Sequence, residues 1–544
     1  MSERVCAAPG PGSWELETTH NQRPVSRFSA EAVLAGLPRG FAEGTARYGW
    51  LISHLQPALV NGFVYMRLVG YGADGSVSPE EMRARIETSA RAFEAKRWRD
   101  DLARWDQVDR PAAVAAHRSL QDVDPTALSD EELSTHLRRC CDHLEAMEYL
   151  HHAYNTAALV PVGDFLAFAQ ERTDLDARDL MQLLRGTSRI SVGFAADELD
   201  GLVRLIAGND DAMGILGAEL PAAEKLAALR ADAALGAAAG AYLDAVWYRS
   251  VGYDVADPTT GELPELLVEA IRAAAAGAGP APADASGTTP ILDRVPAEHR
   301  SEFEERLGEA RFVNRLRDER AVYSDGWATG LARRAVLEAG RRLHGRGRLA
   351  EPSHAVDADA AELAALLLGR PGPSADEMSE RFRWRTTRTV DDAPPLLGPP
   401  PAPPPPLETL PPPVWRAALA ANAGMQHIFQ AAETPNTDTV LRGLAVYAGS
   451  FEGTARVVGS TDDFTRIHRG DVLVTRMTSP YFNVVLPLLG AIVTDRGGQL
   501  CHAAIVAREY GIPGVVGTRE ATRRIPDGAR IRVDGDVGEV TLLP

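Results

Sequence analysis

The stretch that most constrains this chain lies close to its C-terminal end, where residues 488–493 are apolar enough for a buried strand and Gly497-Gly498 break it. Residues 503–510 are rich in good helix formers, and Gly511 followed by Pro513 supplies a helix stop. The pattern predicts strand, glycine turn, helix, with His502 in the first helical turn. There the backbone N–H groups lack intrahelical partners and the helix dipole is positive.

A histidine in that position is suited to carrying a phosphoryl group. The positive helix end disfavours imidazolium, so the ring stays neutral and nucleophilic near neutral pH. The same N–H groups can receive the negative charge of a bound phosphate. Gly497 and Gly498 leave room for a phosphate donor to approach the backbone. Covalent catalysis by histidine needs these parts. The alternative is a histidine that merely caps the helix or satisfies a core.

Residues 494–517 resemble the phosphohistidine signature of the swivelling domain in phosphoenolpyruvate-utilising enzymes. The resemblance runs through Gly497-Gly498, the small residues around His502, Ala507-Arg508-Glu509-Tyr510-Gly511-Ile512-Pro513 and Val515-Val516-Gly517. Upstream, Gly470-Asp471-Val472-Leu473-Val474 and Met477-Thr478-Ser479-Pro480 are similar to the family's entry strand and Thr-Pro loop. Downstream, Val533-Asp534-Gly535 and Gly538-Glu539-Val540 are similar to its closing hairpin. The resemblance implies that His502 is the phosphoryl carrier. It implies a phosphate-binding surround of Gly497, Gly498, Cys501 and Ala503, with Thr478 and Arg508 in support. Cys501 stands where the family usually has Ser or Thr, and reads as a small filler rather than a nucleophile.

Composition narrows the field. A chain of 544 residues is too long for one ordinary core. Lys plus Arg total 57 against 75 Asp plus Glu, a net charge of −18, which argues against nonspecific nucleic-acid binding. Lys96 and Lys225 are its two lysines, and no Gly-Lys-Ser/Thr occurs, so a phosphate-binding P-loop cannot be built. The four cysteines, Cys6, Cys140, Cys141 and Cys501, lack zinc-ligand spacing. No run approaches the roughly 18 apolar residues of a membrane span, and no leader is visible, so the expected location is cytoplasmic. No metal site is expected.

The fold class expected is multidomain: a mostly α-helical N-terminal region followed by a C-terminal α/β swivelling domain. Residues 1–15 read as disordered, 16–393 as a mostly helical acceptor-binding domain, 394–437 as a proline-rich linker with a hinge helix, and 438–544 as the swivelling domain. The prolines of 394–413 force an extended strut at ~3.1 Å per residue, of the kind a shuttling domain needs. Residues 274–287, rich in Ala, Gly and Pro, read as a mobile surface loop. Gly70-Tyr71-Gly72-Ala73-Asp74-Gly75 fits a dinucleotide-binding pattern. The next helix starts only at Pro79 with Ser78 as N-cap, so it reads as an ordinary loop.

Three groups are candidates for an acceptor pocket. His20 and Arg23 could face an anionic or hydroxylated ligand, or anchor a polar turn. Glu148 and His152, at i,i+4 spacing, could be an acid–base pair or a metal edge, or part of a polar seam between helices or of a pocket wall. Arg317, Asp318 and Glu319 could line the pocket or dock the loaded swivelling domain, or belong to a solvated helix laced with ion pairs.

Relatives that use ATP carry a large ATP-grasp domain, which this sequence does not show. The expectation is a split phosphotransferase, resembling in layout rifampicin phosphotransferase and phosphoenolpyruvate synthase without that domain. A separate ATP-grasp partner would bind ATP and Mg²⁺ and load His502, and a small-molecule hydroxyl or enolate would take the phosphate. A binding or regulatory protein that kept the fold is the alternative. A self-sufficient kinase is the third reading.

Overall fold

In the computed structural model the described residues are 6–187, 195–277, 289–401, 403, 405–429, 435–437 and 439–544. They form two compact units. The first comprises Met1–Ala157, Gly252–Pro258 and Arg320–Ala418, and the second Ala158–Val251, Thr259–Glu319 and Leu419–Pro544.

The first unit contains a four-stranded antiparallel sheet, of strands β1 (Trp14–Leu16), β2 (Ile52–Val60), β3 (Phe63–Gly70) and β4 (Leu396–Leu397) in the order β2-β3-β1-β4. β2 and β3 form a hairpin across Asn61 and Gly62, at φ 56° and 87°, the two-residue turn that Asn-Gly favours. Two expectations are corrected here. Disorder does not extend to residue 15, because Trp14 is 2 % exposed and packs with Phe63 and Tyr65. Nor is the proline-rich segment a free strut from its start, because Leu396–Leu397 pairs with β1 and Leu397 joins that small core.

Three helices dominate this unit, Arg27–Arg47, Asp130–Ala153 and Asp325–Gly345. Gly36, Gly40 and Gly44 let the first lie against the second. A Cβ on Gly40 would come within 2.2 Å of the Tyr149 carbonyl oxygen. The loop at Gly70–Gly75 ends where the sequence predicts, at the Ser78–Glu81 capping box of helix Pro79–Glu94.

The second unit carries an eight-stranded sheet in the order β5-β12-β11-β7-β8-β9-β10-β6. Its strands are β5 (Val440–Arg442), β6 (Leu444–Tyr447), β7 (Ser450–Val458), β8 (Asp471–Thr475), β9 (Leu489–Thr494), β10 (Gly514–Val516), β11 (Arg530–Asp534) and β12 (Glu539–Leu542). β7, β8, β9 and β10 are parallel, and β10–β6 and the pairs beyond β7 are antiparallel. Helix His502–Tyr510 is the crossover from β9 to β10 and stops at Gly511, φ 67°. Buried residues of helix Pro264–Ala275, Leu266 and Ala273, share one core with Ile492, Leu486, Val506 and Ala507. Residues 158–251 and 259–319, which the sequence groups with the rest of the helical region, thus belong to one unit with the C-terminal sheet.

The loop expected at 274–287 begins inside helix Pro264–Ala275, and its residues 278–287 lie outside those described. So do residues 430–434, where the hinge after helix Pro412–Phe429 is expected. Among the described residues no helix is long and apolar enough to cross a membrane.

Candidate active site around His502

Two adjacent parallel strands bring the site together. β8 ends at Thr475 and β9 at Thr494, and the chain leaves both at the same edge of the sheet, where the Asp495 N–H donates to the Thr475 carbonyl at 3.1 Å. Ligand sites of parallel sheets gather at this carboxyl edge. The loop after β8 carries Thr478 and then the short turn Pro480–Val484 with Asn483; the loop after β9 leads into His502.

The His502 ring is held at both nitrogens. Nδ1 lies 2.9 Å from Thr478 Oγ1 and Nε2 lies 3.0 Å from Asn483 Oδ1. The residue is 7 % exposed. Burial, and then the positive charge of Arg317, depress its pKa to about 3, so the ring is neutral at physiological pH. The sequence predicts that neutrality from the positive helix end. Here burial and a neighbouring guanidinium are its larger causes.

A neutral imidazole has one donor and one acceptor nitrogen. The Thr478 hydroxyl can serve either. For Nε2 to be the nucleophile its proton must sit on Nδ1, and a half-turn of the Asn483 amide then offers Nε2 a donor. Sequence reasoning missed Asn483; the available signal was its place five residues after Thr478, in the same loop. Asn483→Ala leaves Nε2 buried without a partner and should cost about 1–2 kcal/mol, measured as a lowered thermal midpoint of the full chain.

The loop before the helix is tightly tied. Gly497 has φ 110°, and a Cβ there would come 2.6 Å from Cys501 Sγ. The N–H groups of Gly498 and Leu500 donate at 2.8 Å to the carbonyls of Ile428 and His427, at the end of helix Pro412–Phe429. In this conformation the Gly498 amide is therefore occupied by protein. Arg508 donates to the side chain and the carbonyl of Gln499 at 3.2 and 2.6 Å, and Gln499 donates to the Ala445 carbonyl. Burial lowers the Arg508 pKa to about 10. Its visible work is to fix the loop that presents His502. Cys501 is the N-cap, Ala503 is fully buried in the first turn, and burial raises the Cys501 pKa, keeping the thiol protonated.

The other candidates fall into two groups. Arg317, Asp318 and Glu319 lie in the same compact unit as His502. The charge of Arg317 acts on His502, Cys501 and Arg508, and that of Asp318 on Glu509. Glu319 is buried and held by Arg315 at 2.7 and 2.9 Å. This is an i,i+4 ion pair, but not on a solvated face. Glu509 accepts from the Gly186 N–H at 2.8 Å.

His20, Arg23, Glu148 and His152 belong to the first unit. There Glu17 gathers the N–H groups of Thr19, His20 and Asn21 at 2.7–3.0 Å and lies 3.1 Å from His20 Nδ1, which makes the segment a built polar turn. The Glu148 carboxyl is 3.7 Å from His152 Nδ1. Among the described residues no group of three His, Cys, Asp or Glu could hold a metal ion.

Residues 467–538 match the family described as PEP-utilising enzyme, mobile domain. The C-terminal domain matches the PEP-utiliser mobile domain. The chain is similar to the uncharacterized phosphotransferase YvkC of Bacillus subtilis, 44% identical over 108 residues, which is 20% of this chain and 13% of that one. It is 46% identical over 110 residues to the phosphoenolpyruvate synthase of Deinococcus radiodurans, 20% of this chain and 14% of that protein. It is 36% identical over 157 residues to the rifampicin phosphotransferase of Streptomyces sviceus, 29% of this chain and 17% of the relative. The matched segments thus span less than a fifth of each of these relatives. His502 falls inside the matched mobile domain, on the helix that follows its glycine pair.

Proposed function

We propose that this chain is the carrier component of a phosphotransferase. His502 takes a phosphoryl group from a donor site on a separate ATP-grasp protein that binds ATP and Mg²⁺. It then passes the group to a hydroxyl or enolate of a small molecule. The observation that carries the reading is the neutral His502 ring, held at both nitrogens by Thr478 and Asn483 in a domain that matches the mobile domain of PEP-utilising enzymes. The phosphotransferases and synthases named among its relatives support the same class of chemistry.

In the transfer, the nucleophilic ring nitrogen forms a bond to phosphorus as the donor's bridging P–O bond breaks. Arg317 supplies positive charge to the same site, as a transferring phosphoryl group requires. A ring only 7 % exposed must leave its seat to meet a large donor, so loading requires movement of the mobile domain. That burial is also the observation that favours the second reading, a binding or regulatory protein in which His502 only completes a core.

The test is incubation of the full chain with candidate ATP-grasp proteins and ATP labelled, in separate samples, at the β- and at the γ-phosphate, followed by peptide mass spectrometry. Acid-labile, alkali-stable phosphate on His502 is expected with one partner. Label on another residue, or none with any partner, supports the second reading.

A further inference from the structure

A second set of acid–base groups, unrelated to the mobile domain, lies in the unit built from residues 1–157, 252–258 and 320–418. His151 Nδ1 is 2.9 Å from Asp325 Oδ1, which also accepts from the Ser324 hydroxyl at 3.0 Å. A carboxylate can only accept, so the proton of the neutral ring sits on Nδ1 and its lone pair on Nε2. His152 Nδ1 is 2.8 Å from the Glu148 carbonyl, and the same reasoning puts its lone pair on Nε2. The two rings are stacked with centroids 4.7 Å apart. Among the described residues neither Nε2 has a hydrogen-bond partner, and neither is a sealed, unsatisfied atom. His136 Nδ1 and His427 Nδ1 are sealed in that way.

Glu148 adds a third group. It is 8 % exposed, and among the described residues its carboxyl approaches His152 Nδ1 at 3.7 Å without a hydrogen bond. Burial, then the charge of Asp325, push its pKa well above the usual carboxylate range. The close helix contact keeps these side chains in place, since a Cβ on Gly36 would lie 2.7 Å from Glu148 Cβ and one on Gly40 3.0 Å from His152 Cβ. His20, whose side chain is 46 % exposed, is held by Glu17 and feels the charges of Asp325 and Arg320. The Arg320 charge also acts on both stacked rings.

Two Nε2 lone pairs beside a carboxyl are complementary to a molecule that offers neighbouring hydroxyl groups. We propose that Glu148, His151 and His152, with Asp325 behind His151, form a binding site for a small molecule carrying neighbouring hydroxyls, and that His151 is its base. In the proton step the substrate O–H bond breaks and an Nε2–H bond forms on His151. The Asp325 carboxylate balances the imidazolium, and the oxygen keeps the electron pair as a nucleophile. This deepens the phosphotransfer reading by giving a hydroxyl acceptor its site, but binding does not depend on His502.

The experiment is diethyl pyrocarbonate footprinting of the full chain at pH 7, read by peptide mass spectrometry. His151 and His152 should be modified roughly tenfold faster than buried His117 and His136, which react only through local opening. Catechol and myo-inositol, supplied separately, distinguish a phenolic from an aliphatic diol, and one of them should slow both histidines several-fold. Glu148→Gln should abolish that protection while leaving the unprotected rates intact, and Asp325→Asn should slow His151 alone. His502→Gln should leave the protection unchanged, so failure of the phosphotransfer reading would not touch this result. The site is overturned if His151 and His152 are as unreactive as His117 and His136, or if neither diol slows them.

Discussion

His502→Gln is expected to reduce acid-labile phosphate on this chain to background under conditions in which the wild type is loaded, because Gln can occupy the polar seat but has no nucleophilic nitrogen. The same variant should change the response to acid. His502 is held near pKa 3 in the folded chain against 6.5 in an ordinary environment. Between those values the unfolded chain binds the proton and the folded one does not, so stability rises with pH across this window. The contribution is complete above about pH 6.5 and is lost progressively as pH falls towards 3. One unit of pH within the window is worth at most about 1.4 kcal/mol, so from pH 6.5 to 5 the wild type should lose roughly 2 kcal/mol more than His502→Gln. His136 and His143, pushed down to about 4 by burial, titrate in both proteins, and the comparison cancels them. Thermal unfolding of both chains at the two pH values measures the difference; equal acid losses would mean that the ring is not buried in solution.

Gly497→Ala should be the most damaging small change near the site. Its φ of 110° is one that side chains rarely adopt, and the new Cβ would meet Cys501 Sγ at 2.6 Å and Cβ at 2.9 Å. The strained backbone costs about 1–3 kcal/mol, and the contact adds a further cost of about 1–3 kcal/mol as the loop shifts. Since this loop presents His502, phosphoryl loading should fall along with stability. Adding Cys501→Gly to Gly497→Ala removes the offending side chain and should recover the contact cost but not the backbone cost. A double-mutant cycle on the thermal midpoint separates the two. Strict additivity of the two substitutions would show that the sulfur is not what the glycine makes room for.

The strands and helix of the C-terminal domain were legible because their signals are local. A buried apolar run, a glycine break, an alanine-rich helix and Gly511 before Pro513 each act over a few residues, and β8, β9, helix His502–Tyr510 and β10 fall where those signals put them. Ser78 and Glu81 likewise marked a helix start that the structure keeps. The small sheet of the first unit was not expected, although Asn61-Gly62 is a hairpin signal. β1 and β4 are three and two residues long and pair between Trp14 and Leu397, far apart in sequence, too short to leave a pattern of their own.

The site divides in the same way. Sequence by itself determined that His502 starts a helix after a glycine turn and that Thr478 lies in the loop after the preceding strand, since chain order and helix geometry suffice for both. Only the tertiary structure decided that Asn483 meets the other ring nitrogen, that Arg317 charges the surroundings of His502 across 185 positions of sequence, and that Asp325 stands behind His151. Burial and charge depend on what packs around a group in three dimensions. They therefore set the ring's protonation more strongly than the helix end that the sequence could foresee.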